Sequence, residues 1–474
     1  MSVLEGLHPQ AVFRYFEALC AIPHGSGNTK MISDYCVGFA QAHGLRYVQD
    51  IHNNVVIYCP ASPGYEDHPT VILQGHLDMV CEKDADCTLD LLRDGLRLAQ
   101  DGSFVSAEGT TLGGDDGIAV AYALAVLDAK DLKHPPLEAV FTVDEEIGML
   151  GATAMDMSVL HGRVMLNIDS EDEGILTAGC AGGARSTLKL PIKREPAEGT
   201  AWRIRLSGLQ GGHSGVDIHK GRDNANKRMG QLLSLLPELR LCSIDGGAQD
   251  NAIPRACTAV VVSEAADFAA RFAQAERLCK AAMPNSEAEA LFTCEPAETS
   301  ILPMTLSSTT AALSLLNELP NGIQAMSMDI DGLVQTSLNL GIVKTEDVSV
   351  QMTFSVRSSV RAEKSALTEQ LAALAAKYGA QYRQSGDYPA WEYQNSSRLR
   401  EIMVRTFTER YGKPPIVDVI HAGLECGIFS DCLPGLDAVS FGPQMHDIHT
   451  SRERLDIASV ARVWDFLIDV LEQL

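Results

Sequence analysis

The stretch Phe141-Thr-Val-Asp144-Glu145-Glu146-Ile-Gly148 decides how this chain is read. Residues 139–143 are apolar, β-branched or aromatic, the composition of a short buried strand. That run ends on three acids. Two adjacent glutamates at a strand exit can divide labour, one holding a metal while the other moves a proton. Taken alone, the triplet is more simply a solvated acidic loop. The same texture recurs on either side of it. Thr70-Val-Ile-Leu-Gln-Gly-His76-Leu-Asp78 is another apolar run with polar groups at its exit, and residues 164–168 run into Asn167-Ile-Asp169-Ser-Glu171. Between them an Ala-rich helical stretch, 118–127, follows Leu112-Gly-Gly-Asp115-Asp116-Gly117. Strands and helices alternating at this spacing imply an α/β fold, a mostly parallel sheet flanked by helices on both faces. Ligand sites in such sheets collect at the carboxyl ends of the strands, where these acids stand.

At 474 residues the chain exceeds one ordinary core, so two domains, or one with a large insertion, are expected. A hydrophobic share of 46% with 21% charged residues is globular. The net charge of −24 repels phosphate backbones and argues against nucleic acid as a partner. Twelve cysteines without a single C-x-x-C pair fit scattered reduced thiols, not a zinc ribbon or a disulfide framework. The first residues, Met-Ser-Val-Leu-Glu-Gly-Leu-His-Pro, lack a basic, apolar leader, and no run nears the roughly 18 apolar residues of a membrane span. A cytoplasmic protein without membrane contact is the expectation.

Near residues 189–200 the texture changes, and Pro191, Lys193, Arg194, Glu195, Pro196 and Gly199 read as a hinge. Strands are expected at 201–206, 257–262, 326–331, 335–340 and 348–356, with helices at 224–236, 268–281 and 364–378. This reads as an inserted α+β domain, built as two similar halves. Gly386-Asp-Tyr-Pro389 marks a second hinge, after which a helix (397–411), a strand (416–420) and a helix (457–471) resume the α/β texture. The expected division is a catalytic domain of residues 1–188 and 390–474 with an inserted domain at 189–389.

In extended chain, residues i and i+2 face one side, so His76 could ligate a metal while Asp78 accepts its other ring N–H. Asp115 could bridge two cations, with Asp116 as helix cap or hydrogen-bonding neighbour; a plain capped helix remains the alternative. Asp169 stands at a further strand exit, and Met445-His446-Asp-Ile-His449-Thr-Ser-Arg-Glu453 offers two imidazoles. Rival motifs fail. There is no His-Glu-x-x-His, no phosphate-binding glycine loop, and Val216 spoils a nucleophile elbow around Ser214.

Taken in order, His76-x-Asp78, Gly-Asp115-Asp-Gly, Asp-Glu145-Glu146-x-Gly, Asp169 and His449-Thr-x-x-Glu453 resemble the M20 metallopeptidases. Gly211-Gly-His213-Ser-Gly215 and Asn251-Ala-Ile-Pro-Arg255 are most similar to its aminoacyl-histidine (Xaa-His, carnosinase-like) dipeptidases. The resemblance implies a zinc-peptidase catalytic domain with an α+β lid and two zinc ions, for which manganese or cobalt could substitute. One ion would be held by His76 and Asp169, the other by Glu146 and His449, with Asp115 bridging; His446 is the alternative ligand. Glu145 would be the general base, Asp78 would orient His76, and His213 would stabilise the oxyanion when the lid closes. Asn251, Arg357 and Gly423 would contact the peptide, Arg357 through its carboxylate. A small unblocked peptide as substrate and a homodimer formed through the lid complete what it implies; another M20-type amide hydrolase (an aminoacylase, tripeptidase or amidohydrolase) and a catalytically silent peptide-binding member are the alternatives. Asp144 is left without a role.

Overall fold

The computed structural model describes residues 2–236 and 238–474. They form two compact units. One comprises the chain up to Cys180 with Tyr393–Val419 and Leu424–Leu474; the other is Ala181–Glu392 with Ile420–Gly423.

The first unit is built on an eight-stranded sheet. Its order is Arg46–Gln49, Val55–Cys59, Leu137–Thr142, Val71–His76, Val164–Asn167, Asp437–Ser440, Ile175–Cys180 and Ile416–Ile420. The four central strands, Leu137–Thr142 through Asp437–Ser440, pair in parallel; Val55–Cys59 and Arg46–Gln49 add antiparallel on one side, and Ile175–Cys180 runs antiparallel to Asp437–Ser440 on the other. The α/β expectation therefore holds at the centre of the sheet. Val71–His76 and Leu137–Thr142 are buried along their whole length, as parallel strands covered on both faces must be. Helix Gly114–Asp128 is buried on every side except near its end, which explains its Ala- and Val-rich sequence. It packs on helix Gln10–Cys20 and on strand Val71–His76. Gly75 permits that approach, since a Cβ there would lie 2.5 Å from the Ala119 methyl and 2.6 Å from Asp116 Oδ2. A small sheet adds strands Met445–His446 and Arg454–Asp456, an antiparallel pair whose connecting loop carries His449 and Glu453.

The second unit is built on a nine-stranded sheet whose strands pair antiparallel, with a separate antiparallel pair, Gly212–His213 and Ala252–Ile253. Helices Ala225–Ser234, Phe268–Ala281, Leu306–Glu318 and Arg361–Tyr378 contribute to its core through Leu232, Phe268, Leu315 and Leu371. It is α+β, and its main strands join in one continuous sheet.

Both segments read as hinges are held within this unit. Lys189 to Pro191 lie in strand Gly182–Pro191, and the Arg194 guanidinium donates to the carbonyls of Asp347, Cys242, Leu302 and Glu346. Gly386 to Tyr388 close strand Gln381–Tyr388, where Gly386 takes a left-handed φ of 57° at a register shift. Lys364 holds that end through Tyr388 O at 2.5 Å and Asp387 at 2.8 Å. Pro, Gly and charged residues mark turns, and here the turns are tied down by a buried cation. The strand expected at 326–331 lies earlier, at Gly322–Met326, with a turn after it.

Candidate metal centre and active site

Each chemistry-bearing side chain of the first unit stands just past a strand end or at a helix start. His76 is the last residue of its strand and 1% exposed. Its Nδ1 donates to the main-chain oxygen of Asp78 at 2.9 Å, while the Asp78 carboxylate lies 3.6 Å away. The orienting bond expected from the Asp78 side chain is thus made by its backbone. The carboxylate instead accepts from Ser26 Oγ (2.7 Å) and from the backbone N–H of Glu145 (3.0 Å), which fixes the Asp-Glu-Glu turn. With Nδ1 protonated, His76 Nε2 faces Asp115 Oδ1 at 3.1 Å and Asp169 Oδ1 at 3.9 Å.

Asp115 turns its other oxygen, Oδ2, to His449 Nε2 at 3.1 Å, and the same nitrogen lies 2.9 Å from Glu146 Oε1. One carboxylate therefore joins two imidazoles through its two oxygens. Asp115, Glu146 and His449 form one close group of donors; His76, Asp116 and Asp169 form another, and His76, Glu145 and Glu146 a third. Bonds of about 2.0–2.2 Å to a tetrahedral cation put neighbouring donors roughly 3.3–3.5 Å apart, so gaps of this size suit a shared divalent ion. His446 belongs to no such group among the described residues; its ring packs edge-on against Phe104, with centroids 5.7 Å apart.

Electrostatics point the same way. Burial raises the carboxyls of Asp116 and Asp169 well above their ordinary range, and pushes Glu171 to about 7 and Glu453 to about 6. For Glu145 burial, reinforced by Glu425, Glu146 and Asp115 against His76, gives about 8. Hydrogen bonds to Asp115 and Glu146 lift His449 to about 10. Burial opposes the charge on His76, yet Asp115, Asp78 and Asp169 outweigh it and raise that imidazole too. The cluster holds more carboxyl groups than imidazoles to pair with them, and Asp116 Oδ1, fully buried, has no hydrogen-bond partner. Imidazole and carboxylate donors around such an excess fit divalent cations of the zinc type.

Several supports were not read from the sequence. Glu453 is 3% exposed and accepts four backbone N–H groups: Leu112 and Gly113 on Oε2, Gly114 and Asp115 on Oε1, at 2.7–3.3 Å. It locks the glycine loop that presents Asp115. A loop of consecutive N–H groups opening a helix is the signal that an anion belongs there. Gly113 enters that loop with φ +67°, where a side chain would meet Met79 Sδ at 2.9 Å. Asp144, without an assigned role from the sequence, has a left-handed φ of 56° and accepts the Gly27 N–H at 2.6 Å.

The remaining candidates lie in the second unit. His213 Nδ1 accepts the N–H groups of Gly215 and Val216, each at 3.2 Å, leaving the ring proton on Nε2. Burial and the nearby Arg357 cation lower its pKa, so it is a neutral donor. Arg357 is 8% exposed; Nη1 donates to Tyr388 Oη at 3.1 Å, and Nε has no hydrogen-bond partner. Asn251 is exposed, and its main-chain carbonyl receives the Ser214 N–H at 2.8 Å. Gly423 lies in the short Ile420–Gly423 segment, beside His421.

Residues 72–473 match the peptidase family M20/M25/M40. The chain is 36% identical to the cytosol non-specific dipeptidase of Escherichia coli (strain K12), an alignment covering 100% of this chain and 99% of that one. The crystal structure of aminoacylhistidine dipeptidase from Vibrio alginolyticus matches with a TM-score of 0.92 at 37% identity, covering 99% of this chain and 98% of that chain. An aminopeptidase from Bacillus cereus shares the fold, at a TM-score of 0.57 and 15% identity, covering 98% and 99%. No helix among the described residues is long and apolar enough to cross a membrane. The ordered acids and imidazoles, and a match that spans nearly the whole chain, make this protein a member of peptidase family M20/M25/M40.

Proposed function

We propose that this chain is a metal-dependent dipeptidase that hydrolyses short unblocked dipeptides, Xaa-His among them. The observation that carries this reading is Asp115, whose two oxygens each lie 3.1 Å from a different imidazole, with Glu145 close by. In this reading His76 and Asp169 would hold one zinc ion and Glu146 and His449 another, with Asp115 serving both; manganese or cobalt could replace them. Bound there, the ions supply positive charge that polarises the scissile carbonyl and makes water a nucleophile at neutral pH. Glu145 stands beside these donors, and with cations bound there to favour its ionised form it would take the proton of the attacking water. The same carboxyl returns it to the leaving amine.

Asp78 keeps Glu145 aimed by holding its backbone N–H. His213, a neutral donor through Nε2, steadies the negative oxygen that develops on the carbonyl carbon. Arg357 grips the peptide's terminal carboxylate, and Asn251 and Gly423 contact its backbone. A cytoplasmic homodimer joined through the inserted unit, acting as a lid, completes the proposal.

The test is full-length protein dialysed against chelator, its metal quantified, then assayed on Ala-His and β-Ala-His with and without zinc. Hydrolysis that vanishes on chelation and returns with zinc is expected. Protein that binds no metal, or that has no chelator-sensitive activity on any dipeptide, overturns the reading.

A further inference from the structure

Beneath the donors, one buried acid has no place in the mechanism. Glu425 is 0% exposed at the start of helix Cys426–Cys432. Its Oε2 accepts from Gln74 Nε2 at 2.6 Å and from Thr142 Oγ1 at 2.5 Å. Gln74 accepts in turn from Asn167 Nδ2. These three partners occupy three adjacent parallel strands, with Gln74 opposite Asn167 in the register and His76 opposite Thr142. Each lies just below a chemistry-bearing residue on its own strand: Gln74 two residues before His76, Thr142 three before Glu145, Asn167 two before Asp169. Backbone ladders fix neighbouring strands up to their last paired residue. Here the last backbone bonds are Leu77 N–H to Thr142 O and Ile168 N–H to Gln74 O, and the side-chain tie adds a second fastening where that ladder ends.

We propose that Glu425 is a positioning residue: it ties these three strand ends together and so sets the spacing of the metal donors above them. This rests on the metallopeptidase reading. The tie needs an acceptor at Oε2, not a charge. The other oxygen, Oε1, is buried without a hydrogen-bond partner, so an amide nitrogen can occupy its place while the amide oxygen keeps both bonds.

The experiment titrates the dialysed full-length protein and its variants with cobalt(II), and records affinity and the visible bands of the bound ion. Glu425→Ala is expected to weaken cobalt binding about 10- to 100-fold and to shift those bands, the range typical of residues that orient ligands. Glu425→Gln should stay within about threefold of wild type, since its oxygen still serves both donors. Thr142→Val, which removes one of the two bonds, should fall between them and stands in if Glu425→Ala does not fold.

Wild-type cobalt affinity and bands in Glu425→Ala or Thr142→Val, whatever their thermal stability, overturn the tie. Loss in Glu425→Gln as large as in Glu425→Ala also overturns it, because charge would then be what matters. Wild-type protein that takes up no cobalt refutes the metallopeptidase reading and this one with it; normal wild-type uptake with unaltered variants refutes this one alone.

Discussion

Replacing Glu453 by glutamine changes one oxygen to an NH2 group and almost nothing in shape. The carboxylate accepts two backbone N–H groups on each oxygen: Leu112 and Gly113 on one, Gly114 and Asp115 on the other. Whichever way the amide is turned, its NH2 group faces two donors that then have no acceptor. The site is 3% exposed, so water does not readily serve them. Each buried donor left unpaired costs about 1–3 kcal/mol, or roughly 2–6 kcal/mol for the pair. For a unit of this size that lowers the melting temperature by at least about 4 °C. Asp115 N–H is among the four, so the bridging carboxylate shifts as well, and zinc affinity should fall about 10- to 100-fold. Scanning calorimetry of metal-free protein and a zinc titration read the two effects. Glu453→Ala should be no worse than Glu453→Gln, because the vacated space admits water to the N–H groups. A Glu453→Gln protein that melts within about 1 °C of wild type and keeps its zinc affinity would refute the reasoning.

Other consequences are separately measurable. Glu145→Ala should cut turnover by about 10²–10⁴ while metal content stays unchanged; loss of metal would mean that the two glutamates have exchanged roles. His421, buried and beside Arg357, titrates at about 4 instead of 6.5. Between those values only the unfolded chain takes the proton, so stability is full above 6.5 and falls as pH drops toward 4, by roughly 3 kcal/mol. Denaturation midpoints of His421→Gln should therefore fall less steeply from pH 7 to pH 4.5 than wild type, and an equal slope would count against it. Lys227 Nζ donates to the carbonyls of Leu316, Asn317 and Leu319 at 2.5–3.1 Å, capping helix Leu306–Glu318. Lys227→Met should cost about 1–3 kcal/mol in urea denaturation; an unchanged midpoint would show that water replaces the ammonium.

The strand exits were legible because each is a local pattern: an apolar run, then an acid or imidazole. His76, Glu145, Glu146 and Asp169 could be picked out in this way; Asp115 was marked by a glycine loop opening a helix, and His449 was preferred to His446 only through the family resemblance. The structure gathers all six side chains in one unit. Asp78 shows where local reading stops. Its spacing from His76 suggested a carboxylate contact, but the backbone carbonyl reaches the ring first and frees the side chain for Glu145. Glu425 left no usable mark, since Gln74 and Thr142 are brought to it only by the fold. Sheet order in the second unit was hidden for the same reason: strand patterns do not say which strand lies beside which. Helix Leu306–Glu318 begins Leu-Ser-Ser-Thr-Thr, the last four with modest helix propensity, and owes its place to the Thr305 cap and to Leu315 and Leu316 in the core. The linkers were misjudged because composition marks a turn but not whether an arginine such as Arg194 fastens it.

The Glu453 clasp spans 338 residues to Asp115, and the Glu425 tie spans 351 to Gln74. Ribosomes work from the amino end at about 5–20 residues per second, so hundreds of residues separate the birth of the glycine loop from that of its anchor, on the order of tens of seconds. Strand Asp437–Ser440, which pairs with Val164–Asn167, also arrives late. A nascent chain thus carries a crowded set of acids and an unpaired strand edge long before the groups that quiet them exist. Such high contact order makes folding slow and leaves the half-made sheet open to wrong partners. The geometry that gathers these donors also leaves them, through most of synthesis, without the groups that hold them in place.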